Sequence, residues 1–147
     1  MKYLLDTNII AYLADRDSIY NQAVVNHFTQ LQDDDIVAIS ILTLYELHYS
    51  IANASEISTA VTALKQQLCE SLEIIPLSQT GAKIFGELKV RYRKIQVHKK
   101  LLALDTIDLM LASTAIEANA VLVSNDNIFE KLKYLHPELI VENWTTI

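Results

Sequence analysis

The sequence is poor in cysteine, glycine and proline, and each scarcity excludes a class of protein. Its 147 residues contain a single cysteine, Cys69, which cannot form a disulfide within the chain, and the four scattered histidines lack the spacing of zinc ligands. Two glycines allow neither a P-loop nor the GxGxxG turn of dinucleotide-binding proteins. No stretch has the composition of a flexible linker, so we predict one domain over residues 1–147.

Long apolar runs are also missing, although 51% of the residues are hydrophobic. Charged residues interrupt the apolar stretches, and none approaches the roughly 18 apolar residues that identify a membrane span. The amino-terminal apolar stretch meets Asp6 too early to be the core of a signal peptide. We therefore expect a cytoplasmic protein without a membrane segment.

Positive charge is scarce overall but concentrated in one region. The net charge is −6, yet seven of the twelve Lys and Arg residues lie between positions 83 and 100, where Glu87 is the one acid. Phosphate binding depends mainly on cations, so this basic stretch is a candidate for contacts with nucleic acid. A solvated helix face has the same pattern, and the residues alone leave both interpretations open.

Short strands alternate with helices along the chain. Segments rich in β-branched and apolar residues predict strands at 2–5, 36–40, 72–77, 120–124 and 139–142. An apolar period of about 3.6 residues predicts helices at 9–14, 20–31, 43–53, 56–69, 80–92 and 106–119. Residues 93–104 fit either a loop or a continuing helix. The alternation predicts an α/β fold with a short, mainly parallel central sheet of about five strands, covered by helices on both faces.

Four carboxylates stand beside the ends of these elements. Asp6 directly follows the strand KYLL, and Asp126 comes after the strand VLVS. Carboxyl ends of parallel strands form a crevice where strand order switches, so these two acids face each other if their strands are neighbours. Glu46 and Asp108 each stand in an otherwise apolar segment, where an unpaired carboxylate is costly. We predict that the four acids gather in one place, the acidic site.

The acidic site has the composition of a magnesium site. Mg²⁺ and Mn²⁺ prefer oxygen ligands and bind one or two carboxylates together with waters and phosphate oxygens. Such ions activate water and stabilise a leaving oxygen, which indicates phosphodiester hydrolysis. Asp6 is the predicted central ligand, and Asp108 and Asp126 complete one or two metal positions. Glu46 is expected to hold a water beside the metal, although the four roles are interchangeable at this level.

Each acid also has a simpler structural explanation. Asp6 has the position and chemistry of a helix N-cap. Asp105 and Asp108 have the spacing of a capping box, and capping is the expected role of Asp105. Asp126 lies in the turn composition SNDN, where an Asp commonly bonds its own backbone. For Glu46 the alternative is the solvated stripe of its helix, although the leucines and tyrosines around it leave that helix little polar face.

Three tyrosines lie near the first and second acids. Tyr12, Tyr45 and Tyr49 are expected to pack in the core. Stacking on the bases of single-stranded RNA is the alternative role that their rings allow.

The motifs in order resemble one known family. Residues LLDTN near the amino terminus, Glu46 in YEL, Asp108 in IDLMLA and Asp126 in LVSND are similar to the motifs of PIN-domain nucleases. In length and spacing the chain most resembles the VapC-type ribonuclease toxins of bacterial toxin–antitoxin pairs. The resemblance implies a single PIN-like domain with its catalytic acids in the acidic site. It places the metal ligands on Asp6, Asp108 and Asp126, with Glu46 and Asp105 as further candidates, and supporting polar groups on Thr7, Asn8 and Ser124.

The resemblance also implies a function and partners. It implies a Mg²⁺-dependent endoribonuclease, with Mn²⁺ as an alternative metal, that cleaves RNA and acts as a toxin. A cognate VapB-like antitoxin is expected to cover the acidic site, commonly with a basic side chain, and the toxin is expected to be a homodimer. The candidate RNA-binding cations lie in the basic stretch: Arg91, Arg93, Lys94, Lys99 and Lys100.

Two departures from the family and two rival functions accompany this prediction. Ser50 stands where many relatives have Gly, and Asp105 adds a fifth acid in a loop that is often Gly-rich. One rival is a non-catalytic PIN-like module that binds RNA or protein, which has no need to keep four acids. The other is a phosphoryl-transfer enzyme with an Asp nucleophile, but Asn8 stands where the phosphatase version requires a second Asp.

Overall fold

Strands and helices alternate along the chain in the computed structural model, which describes residues 1–53, 59–96 and 98–146. The strands are β1 (Lys2–Leu5), β2 (Ile36–Ser40), β3 (Glu73–Ile75), β4 (Val121–Val123) and β5 (Ile140–Glu142). The helices are α1 (Thr7–Ala14), α2 (Asn21–Thr29), α3 (Ile41–Ala52), α4 (Thr59–Glu70), α5 (Gln79–Ile95), α6 (Lys99–Leu104), α7 (Thr106–Glu117) and α8 (Ile128–Leu135).

The strands form one parallel sheet in the order β3-β2-β1-β4-β5. All four neighbouring pairs are parallel, which confirms the predicted sheet. From β1 the chain adds β2 and β3 on one side, then continues on the other side with β4 and β5. Strand order therefore switches between β1 and β4, where open α/β sheets bind their ligands. Asp6 and Asp126 follow these two strands, as the sequence predicted.

Both faces of the sheet are buried, which explains why its strands are apolar without alternation. Along β1, Leu4 faces one core, while Tyr3 and Leu5 face the other, because successive strand residues point to opposite faces. Residues of α5, α7 and α8 complete the first core, and residues of α1 to α4 complete the second. The predicted covering of both faces by helices is confirmed.

Two helices begin directly at strand ends and so bring their first turns beside the site. Asp6 directly follows β1 and caps α1. Ser40 is the last residue of β2 and caps α3, where its Oγ accepts the backbone N–H of Leu42 at 3.1 Å. Both caps have the extended backbone that an N-cap requires. Glu46 therefore lies on the second turn of a helix that starts next to β1.

The structure resolves the segment that the sequence left open and adds one helix. Helix α5 continues to Ile95, and a separate short helix, α6, occupies residues 99–104 and contains no buried residue. The unpredicted helix is α8, which packs on the sheet through Ile128, Phe129 and Leu132. A helix of eight residues is too short to be stable by propensity alone, so tertiary packing stabilises it.

The lengths of the helices suit their role as a cover for the sheet. The longest described helix, α5, has 17 residues. In the three described ranges, no helix combines the length and the apolar character that a membrane span requires. The helix predicted at 56–69 is α4 from Thr59 onward, and positions 56–58 lie outside the described residues.

Candidate active site

Asp6 lies at the centre of the switch point. Its backbone N–H donates to the carbonyl of Val123 at 2.9 Å, which extends the pairing of β1 with β4. Its Oδ1 accepts the backbone N–H of Thr7 at 2.7 Å, and its Oδ2 accepts the hydroxyl of Ser124 at 2.7 Å. The carboxylate is nearly buried, with 9% exposure. Asp6 is therefore a helix cap and a residue of the switch point at once, so these two interpretations do not compete.

The electrostatic environment of Asp6 combines burial with nearby charge. Burial is the main cause that raises the pKa of Asp6, and the hydrogen bonds from Ser124 and Thr7 oppose it. The carboxylates of Glu46 and Asp126 raise the pKa further. Each oxygen of Asp6 accepts one hydrogen bond, which leaves lone pairs free for a cation.

Ser124 joins the polar groups around Asp6. Its buried hydroxyl donates to Asp6 and accepts the backbone N–H of Asp126 at 3.0 Å. The Nδ2 of Asn8 also reaches the Ser124 oxygen, at 3.4 Å, and donates to the Oδ1 of Asn125 at 2.8 Å. The structure thus brings together Ser124, Asn8 and Asp6, while Thr7 contributes through its backbone N–H.

Asn8 contains an acceptor that lacks a donor. Its Oδ1 is buried and has no hydrogen-bond partner among the residues that the structure describes. Buried acceptors are rarely left in this state, and each one requires an explanation. A cation or a water held by one supplies the missing partner, and the nearby carboxylate oxygens are the ligand type that Mg²⁺ prefers. The donor set therefore fits a hard divalent cation.

No preassembled metal cage accompanies that donor set. Across the described ranges, no group of three His, Cys, Asp or Glu side chains is arranged to hold a metal ion. This does not conflict with a magnesium site, since Mg²⁺ uses one or two carboxylates and keeps several waters. The acids instead form an electrostatic cluster, in which the charges of the other carboxylates raise the pKa of Asp108 beyond the effect of its burial.

Asp108 has the most perturbed carboxyl of the site. It lies in the first turn of α7 and is half-buried. Burial, followed by the nearby carboxylates, raises its pKa to about 7 from an ordinary value of 3.8. The carboxylates that act on it, from largest effect to smallest, are those of Asp126, Asp6, Asp105 and Glu46. All four predicted acids therefore share one electrostatic neighbourhood.

Asp105 has a different role from the predicted one. Its side chain makes no capping bond at α7, so the predicted capping box with Asp108 is wrong. Helix α6 runs almost directly into α7 and leaves Asp105 with helical backbone angles, φ −82° and ψ 0°, rather than the extended angles of an N-cap. The carboxylate instead accepts a hydrogen bond from the hydroxyl of Tyr92. The oxygen of that hydroxyl in turn accepts a hydrogen bond from the Nε2 of Gln96 at 3.1 Å.

Asp126 is exposed to solvent and also has a structural role in the turn. Its Oδ1 accepts a hydrogen bond from the backbone N–H of Ile128 at 3.2 Å. Its backbone carbonyl accepts one from the backbone N–H of Phe129 at 3.3 Å. The turn interpretation of this residue is therefore correct. Its charge still acts on Asp6 and Asp108, so the residue also belongs to the electrostatic cluster.

Glu46 lies on a solvent-exposed face of α3, so the expected lack of a polar face is wrong. Tyr45 and Tyr49 are each 72% exposed, which also contradicts their predicted core packing. The leucines of α3 point inward, and the tyrosine rings point outward, a distribution that an apolar sequence without clear period cannot reveal. The charge of Glu46 nevertheless reaches Asp6 and Asp108.

Two polar contacts near the site were not predicted. Asn125 donates through its Nδ2 to the hydroxyl of Tyr12 at 3.2 Å, in addition to accepting from Asn8. The ring of Tyr12 is half-buried and packs against Tyr20 with 4.8 Å between centroids. The turn composition around Asn125, directly before an acid of the site, is the signal by which sequence reasoning could have selected it.

The five candidate RNA-binding cations are exposed and follow one another across α5 and α6. Arg91 donates through Nη1 to the carbonyl of Leu135 at 2.8 Å, at the end of α8. The ion pairs of the described chain involve other residues, so Arg93, Lys94, Lys99 and Lys100 have no carboxylate partner within it. Helix α6 leads directly into α7, which places the last two cations near the helix that carries Asp108.

Comparisons with known proteins agree with this architecture. The model of the PIN domain family matches residues 3–134. A Ribonuclease VapC2 from Rickettsia felis is 34% identical over 146 residues, covering 98% of both chains. A Ribonuclease VapC2 from Haemophilus influenzae is 29% identical over 145 residues, again covering 98% of both. The solved structure of VapBC2 from R. felis, bound to a DNA fragment from their promoter, superposes with a TM-score of 0.76 at 31% identity, covering 98% of this chain and 99% of that chain.

Proposed function

Because the chain belongs to the PIN domain family and, within it, to the VapC ribonucleases, we propose that it is a Mg²⁺-dependent endoribonuclease and the toxin of a VapBC-type pair. The observation that carries the metal dependence is the cluster at the switch point. Buried Asp6 and half-buried Asp108 lie within electrostatic range of Glu46 and Asp126, and Asn8 adds an acceptor without a donor. A divalent cation neutralises this excess of negative charge.

The residues that would hold the cation differ in how firmly the protein fixes them. Asp6 is held by the hydrogen bonds from Ser124 and Thr7, which makes it the central ligand of the proposal. Asp108 and Asp126 approach from α7 and from the loop after β4. When bound, Mg²⁺ or Mn²⁺ lowers the pKa of an attacking water and stabilises charge on the leaving oxygen. Glu46, which is exposed, is placed to hold water at the rim of the site.

Metal-dependent cleavage is the direct test of this function. Purified protein incubated with total RNA and Mg²⁺ should produce discrete fragments on a sequencing gel, and EDTA should stop the reaction. Excess Mg²⁺ or Mn²⁺ added after the chelator should restore it. Cleavage that continues unchanged in EDTA, with protein free of contaminating nuclease, would contradict the proposed chemistry. Binding of RNA without cleavage in any metal would support the non-catalytic module instead.

The proposed substrate contact outside the acidic site is the row of exposed cations. Arg93, Lys94, Lys99 and Lys100 have no carboxylate partner in the described chain, so their charges are available to phosphates. Arg91 is included, although its bond to Leu135 ties one of its donors to α8. Replacing Lys99 and Lys100 with Gln should weaken RNA binding, because fewer counterions are released. The log–log salt slope should fall by roughly 0.7 for each phosphate that is no longer neutralised.

A salt titration of RNA affinity in catalytically inactive protein measures that slope. The matched control replaces Lys83 and Lys89 with Gln. It removes the same charge from α5, where Lys89 lies 5.4 Å from the ring centroid of Phe85. Equal decreases in affinity for both double variants would indicate a nonspecific effect of net charge. Unchanged affinity in both would identify the basic stretch as a solvated face.

The proposed protein partner is a VapB-like antitoxin. Support comes from the R. felis relative, whose structure was solved as VapBC2. The electrostatics of this chain suit such a partner, since a basic side chain that enters the acidic site would relieve the repulsion that raises the pKa of Asp108. A homodimer of the toxin completes the proposal.

A further inference from the structure

Asn125 bonds two residues of one helix at the same time. Its Oδ1 accepts the Nδ2 of Asn8 at 2.8 Å, and its Nδ2 donates to the hydroxyl of Tyr12 at 3.2 Å. Asn8 and Tyr12 are four residues apart on α1, so they lie on the same face one helical turn from each other. Asn125 accepts one of these hydrogen bonds and donates the other, and this fixes the orientation of its amide. We call these three residues the Asn125 clamp.

The clamp fastens the loop after β4 to α1. Ser124 donates to Asp6 at 2.7 Å, Asn125 bonds Asn8 and Tyr12, and Asp126 accepts the backbone N–H of Ile128, the first residue of α8. Three consecutive loop residues are therefore each fixed by a different contact. Because Asp6 precedes α1 and Asp126 belongs to the loop, the clamp sets the separation of two acids that come from different strands.

The clamp also determines the direction of the Asn8 carbonyl. Both hydrogens of the Asn8 Nδ2 are used, one toward Ser124 and one toward Asn125. Its Oδ1 is thereby held on the opposite side of the amide, buried and without a donor in the described chain. If Asn125 were removed, the amide of Asn8 could rotate and satisfy this oxygen elsewhere. The bonds of the Asn8 Nδ2 to Ser124 and Asn125 thus hold the amide in the orientation that leaves this oxygen without a donor.

We propose that Asn125 is a positioning residue for the metal site, with the Tyr12 hydroxyl as its support. The proposal rests on the proposed nuclease function and deepens it. Both polar atoms of the Asn125 side chain are already bonded to Asn8 and Tyr12, so Asn125 would act on a metal only through other residues. It keeps Asn8 and the loop that carries Asp126 in the arrangement that binds Mg²⁺, and the packing of Tyr12 on Tyr20 keeps the supporting hydroxyl in place. Residues that orient metal ligands in this way typically change metal affinity or activity by about 10-fold to 100-fold when replaced.

The test compares three variants with the parent protein in a Mg²⁺ titration without RNA, with the melting temperature as the readout. Asn125→Ala removes both bonds of the clamp, and Tyr12→Phe removes one and keeps the aromatic ring. Tyr20→Phe is the matched control, because it keeps the ring contact and alters a hydroxyl outside the clamp. The Mg²⁺ concentration that gives half of the maximal stabilisation should rise by about 10-fold to 100-fold in Asn125→Ala. It should rise less in Tyr12→Phe and stay unchanged in Tyr20→Phe.

The outcomes separate positioning from a merely structural role. If Asn125→Ala melts earlier in EDTA but responds to the same Mg²⁺ concentration as the parent, the clamp only stabilises the fold and the proposal is overturned. If Asn125→Ala does not fold, Tyr12→Phe decides, and an unchanged Mg²⁺ midpoint in that variant overturns it. A parent protein that neither gains stability from Mg²⁺ nor cleaves RNA overturns the proposed function itself. A parent that responds while its clamp variants match it overturns the clamp alone.

Discussion

Asp6→Asn should abolish RNA cleavage while the protein remains folded. The substitution keeps the shape of the side chain, and its remaining carbonyl oxygen can still accept the backbone N–H of Thr7 that caps α1. It removes the negative charge from the proposed central metal ligand. Losing several kcal/mol of transition-state stabilisation corresponds to a rate decrease of about 100-fold to 1000-fold or more. The measurement is the initial cleavage rate in saturating Mg²⁺.

A control at the other end of the same helix makes this result specific. Asp15 follows α1, and its carboxylate accepts the backbone N–H of Asp17 at 3.0 Å, away from the switch point. Asp15→Asn changes the net charge equally and should cleave RNA at the parental rate. Circular dichroism melts of both variants in EDTA check that each is folded. An Asp6→Asn protein that cleaves normally would show that the acidic site is not the catalytic centre.

Asp108→Asn should make the metal-free protein more stable at neutral and alkaline pH. The folded protein raises the pKa of Asp108 to about 7 from 3.8, so its carboxyl binds a proton more readily in the folded state than in the unfolded state. The free energy of unfolding of the parent should therefore fall as pH rises from 4 to 7, and this decrease should be smaller in the variant, which lacks the contribution of Asp108. Since Asp108 is only half-buried, solvent screening reduces the expected difference above pH 7 to about 1–2 kcal/mol.

Urea unfolding of parent and variant at pH 5 and pH 8 in EDTA measures this difference. Titrating groups that do not interact with Asp108 affect both proteins equally and cancel in the comparison. Mg²⁺ at pH 8 should stabilise the parent more than the variant, because binding to the folded state raises its stability by mass action. The opposite result has a clear meaning. A variant less stable by about 0.3–1 kcal/mol at both pH values, with the same response to Mg²⁺, would restrict Asp108 to a favourable interaction with the helix dipole.

Much of the fold could be predicted because its signals are local. The strands β1 and β2 match their predicted limits, since each is a short apolar segment with a capping residue at its end. Asp6 follows β1, and Ser40 is the last residue of β2. Helix α8 was missed, because its stability comes from burial of Ile128, Phe129 and Leu132 rather than from residue propensity. The segment at 93–104 was ambiguous, because α6 has only six residues, too few to show a helical period.

The candidate site, like the fold, was predicted from the sequence only in part. The sequence identified Asp6 and Asp126 together, because each follows one of two apolar strands and parallel strands end at the same edge of a sheet, whereas Ser124 was selected only by the family resemblance. It did not predict that Asp105 accepts from Tyr92 rather than capping α7. That hydrogen bond depends on how α5 packs along α7, which residue types and spacings do not specify.

The sequence by itself therefore determined the α/β architecture and the acids that follow its strands, since period, apolar content and capping act over a few neighbouring residues. Only the tertiary structure decided which face of α3 exposes Tyr45 and which polar groups meet across the switch point. The bond from Asn125 to Tyr12 joins residues 113 positions apart, and that from Ser124 to Asp6 joins residues 118 apart. The raised pKa of Asp108 likewise needs the actual positions of four other carboxylates, because burial and Coulomb repulsion depend on distances in space.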